Sequence, residues 1–184
     1  MAGDAANPRI WQSGDVYYGA IGTTAPTDTT TALNAAYKAV GLLSEDGVTE
    51  AREEDSNDYY AWGSILVRTV RSRHRRSFSF VALENNKDLW VLLNPGSATP
   101  VTATGTTTRI VKVPTPNPQA FVFHMVDGTN IRRIVIPRGE VTEVGDTVMG
   151  QTDMEMREIT VTVYADSTGV LYREITNDAQ AVVP

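Results

Sequence analysis

The side chains with the most chemical potential stand in one stretch, residues 50–76, EAREEDSNDYYAWGSILVRTVRSRHRR. Glu50, Glu53, Glu54, Asp55 and Asp58 come first, with Glu45 and Asp46 just ahead of them, and Arg68, Arg71, Arg73, Arg75 and Arg76 close it. The acidic run EEDSND is rich in oxygen but lacks the D-x-[DN]-x-[DN]-G spacing that wraps calcium, so it reads as a solvated face. The arginines form a dense set of charge-assisted donors that could bind phosphate. Phe78 and Phe80, however, begin only after them and alternate toward a core face, so the stacking platform of a single-strand binder is not assembled. A nucleic-acid-binding module built on Arg68–Arg76 is therefore the alternative reading. The leading one is that two blocks of opposite sign, held on different faces, let copies of the chain attract each other head to tail.

Catalytic chemistry finds little support. His74 lies among the arginines and His124 between Phe123 and Met125, and neither has a nucleophile beside it in sequence. The glycines of GAIGTTAP, residues 19–26, do not follow the phosphate-loop pattern. No enzyme activity, cofactor or metal site is expected.

The elements that must position these residues are mostly strands. DVYYGAIGT (15–23) reads as a strand entering a glycine turn. Leu33, Ala36, Tyr37 and Val40 recur at helical spacing, which predicts a short helix over 28–40 capped by Asp28 or a following threonine and stopped at Gly41. VGLLSEDGV runs into a turn at Asp46-Gly47, and the polar stretch between Val48 and Tyr59 reads as a long loop, ordered only on assembly. YYAWGSILVRTV and SFSFVAL are strand-like. A second helix is expected over 84–93, packing outside the sheet through Leu89, Leu92 and Leu93 and ended by Pro95-Gly96. Residues 97–108 read as a loop or ragged edge, and Pro114, Pro116 and Pro118 keep 113–119 from being a central strand. AFVFHMV, NIRRIVIP, EVTEVG, MEMREITVTVYAD and STGVLYREI complete about eight strands, giving an antiparallel β-sandwich or partly open barrel with one or two short helices.

Composition agrees with one domain, 1–184, with arms at 1–14 and 176–184. At 184 residues and 41% hydrophobic, the chain can build a core without covalent staples, and it has no cysteine to make them. A net charge of -6 argues against general affinity for polyanions. No apolar run approaches the roughly 20 residues of a membrane span, and no membrane partner is expected.

The order of VYYGAIGTTAPTD, LNAAYKAVGLLSEDGVTE, YYAWGSILVRTV, FSFVALENNKDLWVLL, VIPRGEVTEVGD and ITVTVYADSTGVLYRE resembles the major tail tube proteins of long, non-contractile-tailed bacteriophages, especially those of actinobacterial hosts. The resemblance covers about residues 15–175. It implies a sandwich-like tube fold with a long loop or hairpin extension, in which strands such as 77–82 and 159–164 join around a hexameric ring and rings stack into a conduit for genomic DNA. It implies partners as well: further copies, the tape measure, the tail terminator, and baseplate or tail tip proteins, with DNA passing through unbound. Assembly would take place in the host cytoplasm and the product would reside in the virion tail. The 45–58 segment would contact an adjacent ring, with Arg71, Arg73, Arg75 and Arg76 as partners for its carboxylates. The density of arginines at 71–76 departs from the family pattern.

Overall fold

The structure, a computed structural model, describes residues 8–178; residues 1–7 and 179–184 of the expected terminal arms lie outside the described residues. The strands are β1 (Ser13–Gly19), β2 (Lys38–Ala39), β3 (Leu43–Ala61), β4 (Ile65–Ala82), β5 (Val101–Ala103), β6 (Thr106–Thr108), β7 (Gln119–Asp127), β8 (Asn130–Val144), β9 (Arg157–Val163) and β10 (Arg173–Thr176). One helix, α1, spans Lys87–Leu93. The main sheet is antiparallel in the order β2-β1-β7-β8-β9-β4-β3, with β10 also on β8, and β5-β6 form a separate hairpin.

Alternation writes the core. Phe78, Phe80 and Ala82 of β4, Phe121 and Phe123 of β7, Ile134 and Ile136 of β8, and Ile159, Val161 and Val163 of β9 turn to one side and are buried together. The sheet curls around this layer instead of lying flat. Phe78 and Phe123 stack at 5.1 Å although β8 and β9 stand between their strands in the sheet order, so the fold is mainly β and a partly open barrel. β7 is buried on both faces: Ala120 and Val122 point the other way, into a small cluster with Tyr37 and Val135.

β8 is shared along its length. Gly139 pairs with Gln119 of β7 on one edge and with Val163 of β9 on the other. β10 takes the latter edge again at Arg132–Val135, beyond the end of β9. A Cβ at Gly139 would stand 3.0 Å from Val161 Cγ1 and 3.1 Å from Phe121 Cδ2, so only glycine lets the two sides of the core close here.

α1 begins a little later than the 84–93 expectation. Asn86 caps it, its Oδ1 accepting from the Leu89 amide at 2.7 Å while its Nδ2 donates to the Val40 carbonyl at 2.8 Å. Leu89 and Leu92 are buried in the main core, and the Tyr18 hydroxyl donates to the Asp88 carbonyl at 2.7 Å. The helix thus plugs the open side of the curled sheet.

The helix expected over 28–40 does not form. Its cap is present: Asp28 Oδ1 accepts from the Thr30 and Thr31 amides at 2.8 and 2.6 Å. The Asp28 and Thr31 carbonyls, which a helix would use for its own ladder, instead accept from the buried Arg133 Nη1 at 2.9 and 2.8 Å. Asn34 then bends the chain by accepting from the Ala36 amide at 2.9 Å, and Lys38 and Ala39 pair with β1. A threonine run has little helix propensity to resist this. Tyr37 and Val40 are buried as the spacing suggested, but along an extended path.

Two further local readings change. Residues 101–108 make the β5-β6 hairpin. The 45–58 segment, expected as a loop, is strand: it belongs to β3 and pairs with β4 almost throughout.

Candidate assembly surface

β3 and β4 form a hairpin much longer than the sheet that carries it. β4 pairs with β9 only from Arg76 to Ala82, whereas its pairing with β3 continues outward to Ile65. From Arg76 to the turn the hairpin is an arm, two strands wide and mostly exposed. Register shifts at Asp55/Ser56 and Tyr59/Tyr60 add twist along it. The turn is tight, with Ser64 N donating to Ala61 O at 3.2 Å and left-handed φ values of 94° at Gly63 and 63° at Ser64.

The register brings the two charge blocks face to face within one chain. Glu53 lies opposite Arg75, Glu54 opposite His74, and Asp55 opposite Arg73. The ion pairs are loose at Arg75–Glu53, 3.7 Å, Arg73–Asp55, 3.9 Å, and Arg71–Glu54, 4.0 Å. Glu54 is the busiest carboxylate: Arg52 binds it along the strand and His74 Nδ1 stands 2.9 Å from its Oε1. Its pKa is held below the ordinary carboxylate value, first by the Arg52 hydrogen bond and then by His74, against partial burial. Arg52 and Arg76 are directly opposite, an arrangement that would repel. They diverge, Arg52 to Glu54 and Arg76 to Glu50. The expectation of two blocks on different faces is thus replaced by cross-strand neighbours, because a hairpin turn at 62–64 folds one block back onto the other.

Four site residues stand apart from this ladder. Asp58 accepts from the Thr69 hydroxyl at 2.6 Å. Arg68 is paired in register with Tyr59 and has no carboxylate partner among the described residues. Glu45 and Asp46 sit at the arm's root, in the irregular stretch between Leu43 and Val48, where Ser44 Oγ donates to Asp46 Oδ2 at 3.3 Å.

The arm is anchored by a cluster that sequence reasoning missed. Arg76 donates to Glu50 and, at 3.1 Å, to the Tyr172 hydroxyl, which in turn donates to Glu50 Oε1 at 3.0 Å. The Arg76 guanidinium also lies 5.5 Å over the Tyr172 ring, and that ring meets Phe78 edge-on at 5.6 Å. Tyr172 gives no local signal because its partners are remote in sequence. Also missed was the arm's end. YYAWGSILV, residues 59–67, carries no charge and had the composition of a buried strand, yet it is split by the turn and Tyr59, Tyr60, Trp62, Ile65, Leu66 and Val67 are all exposed. The signal available was an uncharged run between two charged ones with Trp-Gly-Ser at its middle.

The whole chain, residues 1–184, matches the family model described as phage tail tube protein. The chain belongs to the phage tail tube protein family. It is a structural component of the virion tail and not an enzyme. No curated protein sequence matches this tail tube protein. Solved structures share its fold. The sheath/tube terminator of an extracellular contractile injection system (PVC), in the extended state, aligns with a TM-score of 0.51 at 11% identity, covering 95% of this chain and 99% of that one. The tube terminating cap of the anti-feeding prophage (AFP) aligns with a TM-score of 0.50 at 8% identity, covering 96% and 99%.

Two remaining features of the tail tube protein belong to its frame. His124 accepts from Arg133 Nε at 3.1 Å, and its pKa is lowered by burial and then by the Arg133 charge, against an opposing pull from Asp15. The Asp28 carboxyl is pushed down to about 2, by the Thr31 hydroxyl first and then by the Thr31 and Thr30 amides. Among the described residues no group of three His, Cys, Asp or Glu side chains is arranged to hold a metal, and no helix is long and apolar enough to cross a membrane. The arginines on which the nucleic-acid reading rested mostly face carboxylates of their own hairpin, and no observation favours that reading.

Proposed function

We propose that this protein assembles as hexameric rings that stack into the tube of a long, non-contractile phage tail, through which genomic DNA leaves the capsid. The observation that carries the reading is the β3-β4 arm. A two-stranded ribbon with water on both faces is marginal alone, and one extending well beyond its sheet acquires a full set of neighbours only against other copies. The free edges of β3 and of the short β2 are available for pairing between protomers, so sheets can join around a ring. The arm, with the ladder from Glu50 to Arg76, crosses to the adjacent ring, while Glu45 and Asp46 stay at its root to meet a neighbouring copy. A wall built from chains of net charge -6 repels DNA and lets it slide. Terminator, tape measure and baseplate or tail tip proteins complete the ends and the lumen, and assembly takes place in the host cytoplasm.

Electron microscopy of the purified protein tests this. Sixfold rings and tubes are expected on concentration or prolonged incubation, alone or with tail partners. Small monodisperse particles under all of these conditions would sink it.

A further inference from the structure

The geometry points to a head-to-tail plug: the apolar end of one chain's arm seats in a recess at the root of a second copy's arm. This rests on the stacked-tube reading and names the contact that would hold it.

The arm has a division of labour along its length. Its shank is charged, and most of its ions already have partners within the hairpin. Those pairs are exposed and each is worth little, so they leave only weak attraction for another molecule. The end is the opposite. Tyr59, Tyr60, Trp62, Ile65, Leu66 and Val67 stand exposed together, and Trp62 is as open as a residue in an extended peptide, at 103%. Large aromatic and aliphatic groups clustered at the end of a projecting element mark an interaction site.

At the other end of the arm lies a recess of about 490 Å³. Its apolar lining is Trp11, Leu42, Leu43, Val48 and Met125, and it is the irregular start of β3, between Leu43 and Val48, that opens it. Leu42 is exposed, and Leu43, Val48 and Met125 lie against the main core, so the recess has a firm floor and an open apolar lip. It is large enough to take an indole.

The occupant is a second copy of this chain. From Glu50 to Ala61 is about twelve strand residues, which at ~3.3 Å each puts the end roughly 40 Å from the root, and paired strands cannot fold back on themselves to fill their own recess. Charge agrees. Arg68, without a carboxylate partner among the described residues, sits beside the arm's end, while Asp15, Glu45 and Asp46 line the recess. An end-to-root contact is heterologous, joining two different patches, and so propagates without closing on a pair.

Because the chain contains no cysteine, the contact can be read directly. Trp62→Cys and Leu42→Cys are made in separately tagged chains, mixed, concentrated and treated with a short bis-maleimide. The expected product is a covalent adduct carrying both tags, formed at least about tenfold more than adducts between two Trp62→Cys chains or two Leu42→Cys chains. A companion variant, Trp62→Ser, should keep the wild-type melting temperature and raise the concentration needed for polymerisation by roughly tenfold or more, as loss of a central aromatic anchor does. If wild-type chains form tubes but the mixed adduct is missing, or adducts between two Trp62→Cys chains dominate, or Trp62→Ser polymerises normally, the plug is wrong. Wild-type protein that pellets with phospholipid vesicles through Trp62 would also overturn it. If wild-type chains never form tubes the stacked-tube reading fails by itself, and the plug then stands or falls on the mixed adduct alone.

Discussion

Phe78 and Phe123 stack at 5.1 Å with their planes 26° apart, although they belong to strands that are not neighbours in the sheet. Phe80 meets the same Phe123 ring edge-on at 5.9 Å. Contact across the sheet's own concavity is what curls it into a partly open barrel, and α1 then has a single open side to fill.

Truncating the shared ring should be costly. Phe123→Ala removes a fully buried side chain and leaves a void that the curled sheet cannot collapse, with an expected loss of about 3–5 kcal/mol. Phe123→Leu retains much of the volume and should lose less. Urea titrations of the two variants against wild type measure the difference, and equal losses would contradict the stacking account.

The arm's anchor makes a finer prediction. Tyr172→Phe keeps the ring against Phe78 and under Arg76 but deletes the hydroxyl that bridges Arg76 and Glu50. The stability cost should be about 1 kcal/mol, the net worth of a hydrogen-bonding group. Tyr172→Ala should cost clearly more, since it also removes the ring contacts. Hydrogen exchange of the β3-β4 amides should quicken near Glu50 and Arg76 in both variants.

Charge reversal separates pairing within a chain from pairing between chains. Glu53→Lys places like charges opposite each other at Arg75 and should loosen the middle of the arm and impair stacking. If the carboxylate serves its own hairpin, Arg75→Glu in the same chain restores assembly, whereas mixing Glu53→Lys chains with Arg75→Glu chains does not. Rescue by mixing would instead show that these charges meet across copies. Tube yield by sedimentation is the readout.

The half-buried imidazole of His124 contributes a pH dependence of known sign. Its folded pKa lies below the ordinary value of about 6.5, so between the two the unfolded chain binds more protons and stability rises with pH. Its contribution is full above about pH 6.5 and is lost as pH falls through that value toward the folded pKa. Arg133 reinforces the shift and Asp15 opposes it. Melting temperatures from pH 7.5 to 5 should fall less steeply in His124→Gln than in wild type, and parallel slopes would remove His124 as a source.

Much of this architecture is legible along the chain because it depends on near neighbours. The alternation Ser77-Phe78-Ser79-Phe80 needs only the pleat to face its phenylalanines inward, and the Pro95-Gly96 stop ends α1 wherever the helix packs. The threonine-rich 28–40 segment departs from its helical spacing because its fate lies with Arg133, a residue on β8 whose guanidinium claims the very carbonyls a helix would need. The charge blocks show the same division. Their composition, order and separation are properties of the sequence, and so is the uncharged run between them. Whether they face outward separately or across one hairpin turns on the strand pairing that sets Glu53 against Arg75. Pairing register is a relation between segments, decided by which hydrophobic faces must share a core, and a polar ribbon solvated on both faces carries no alternation from which to read it.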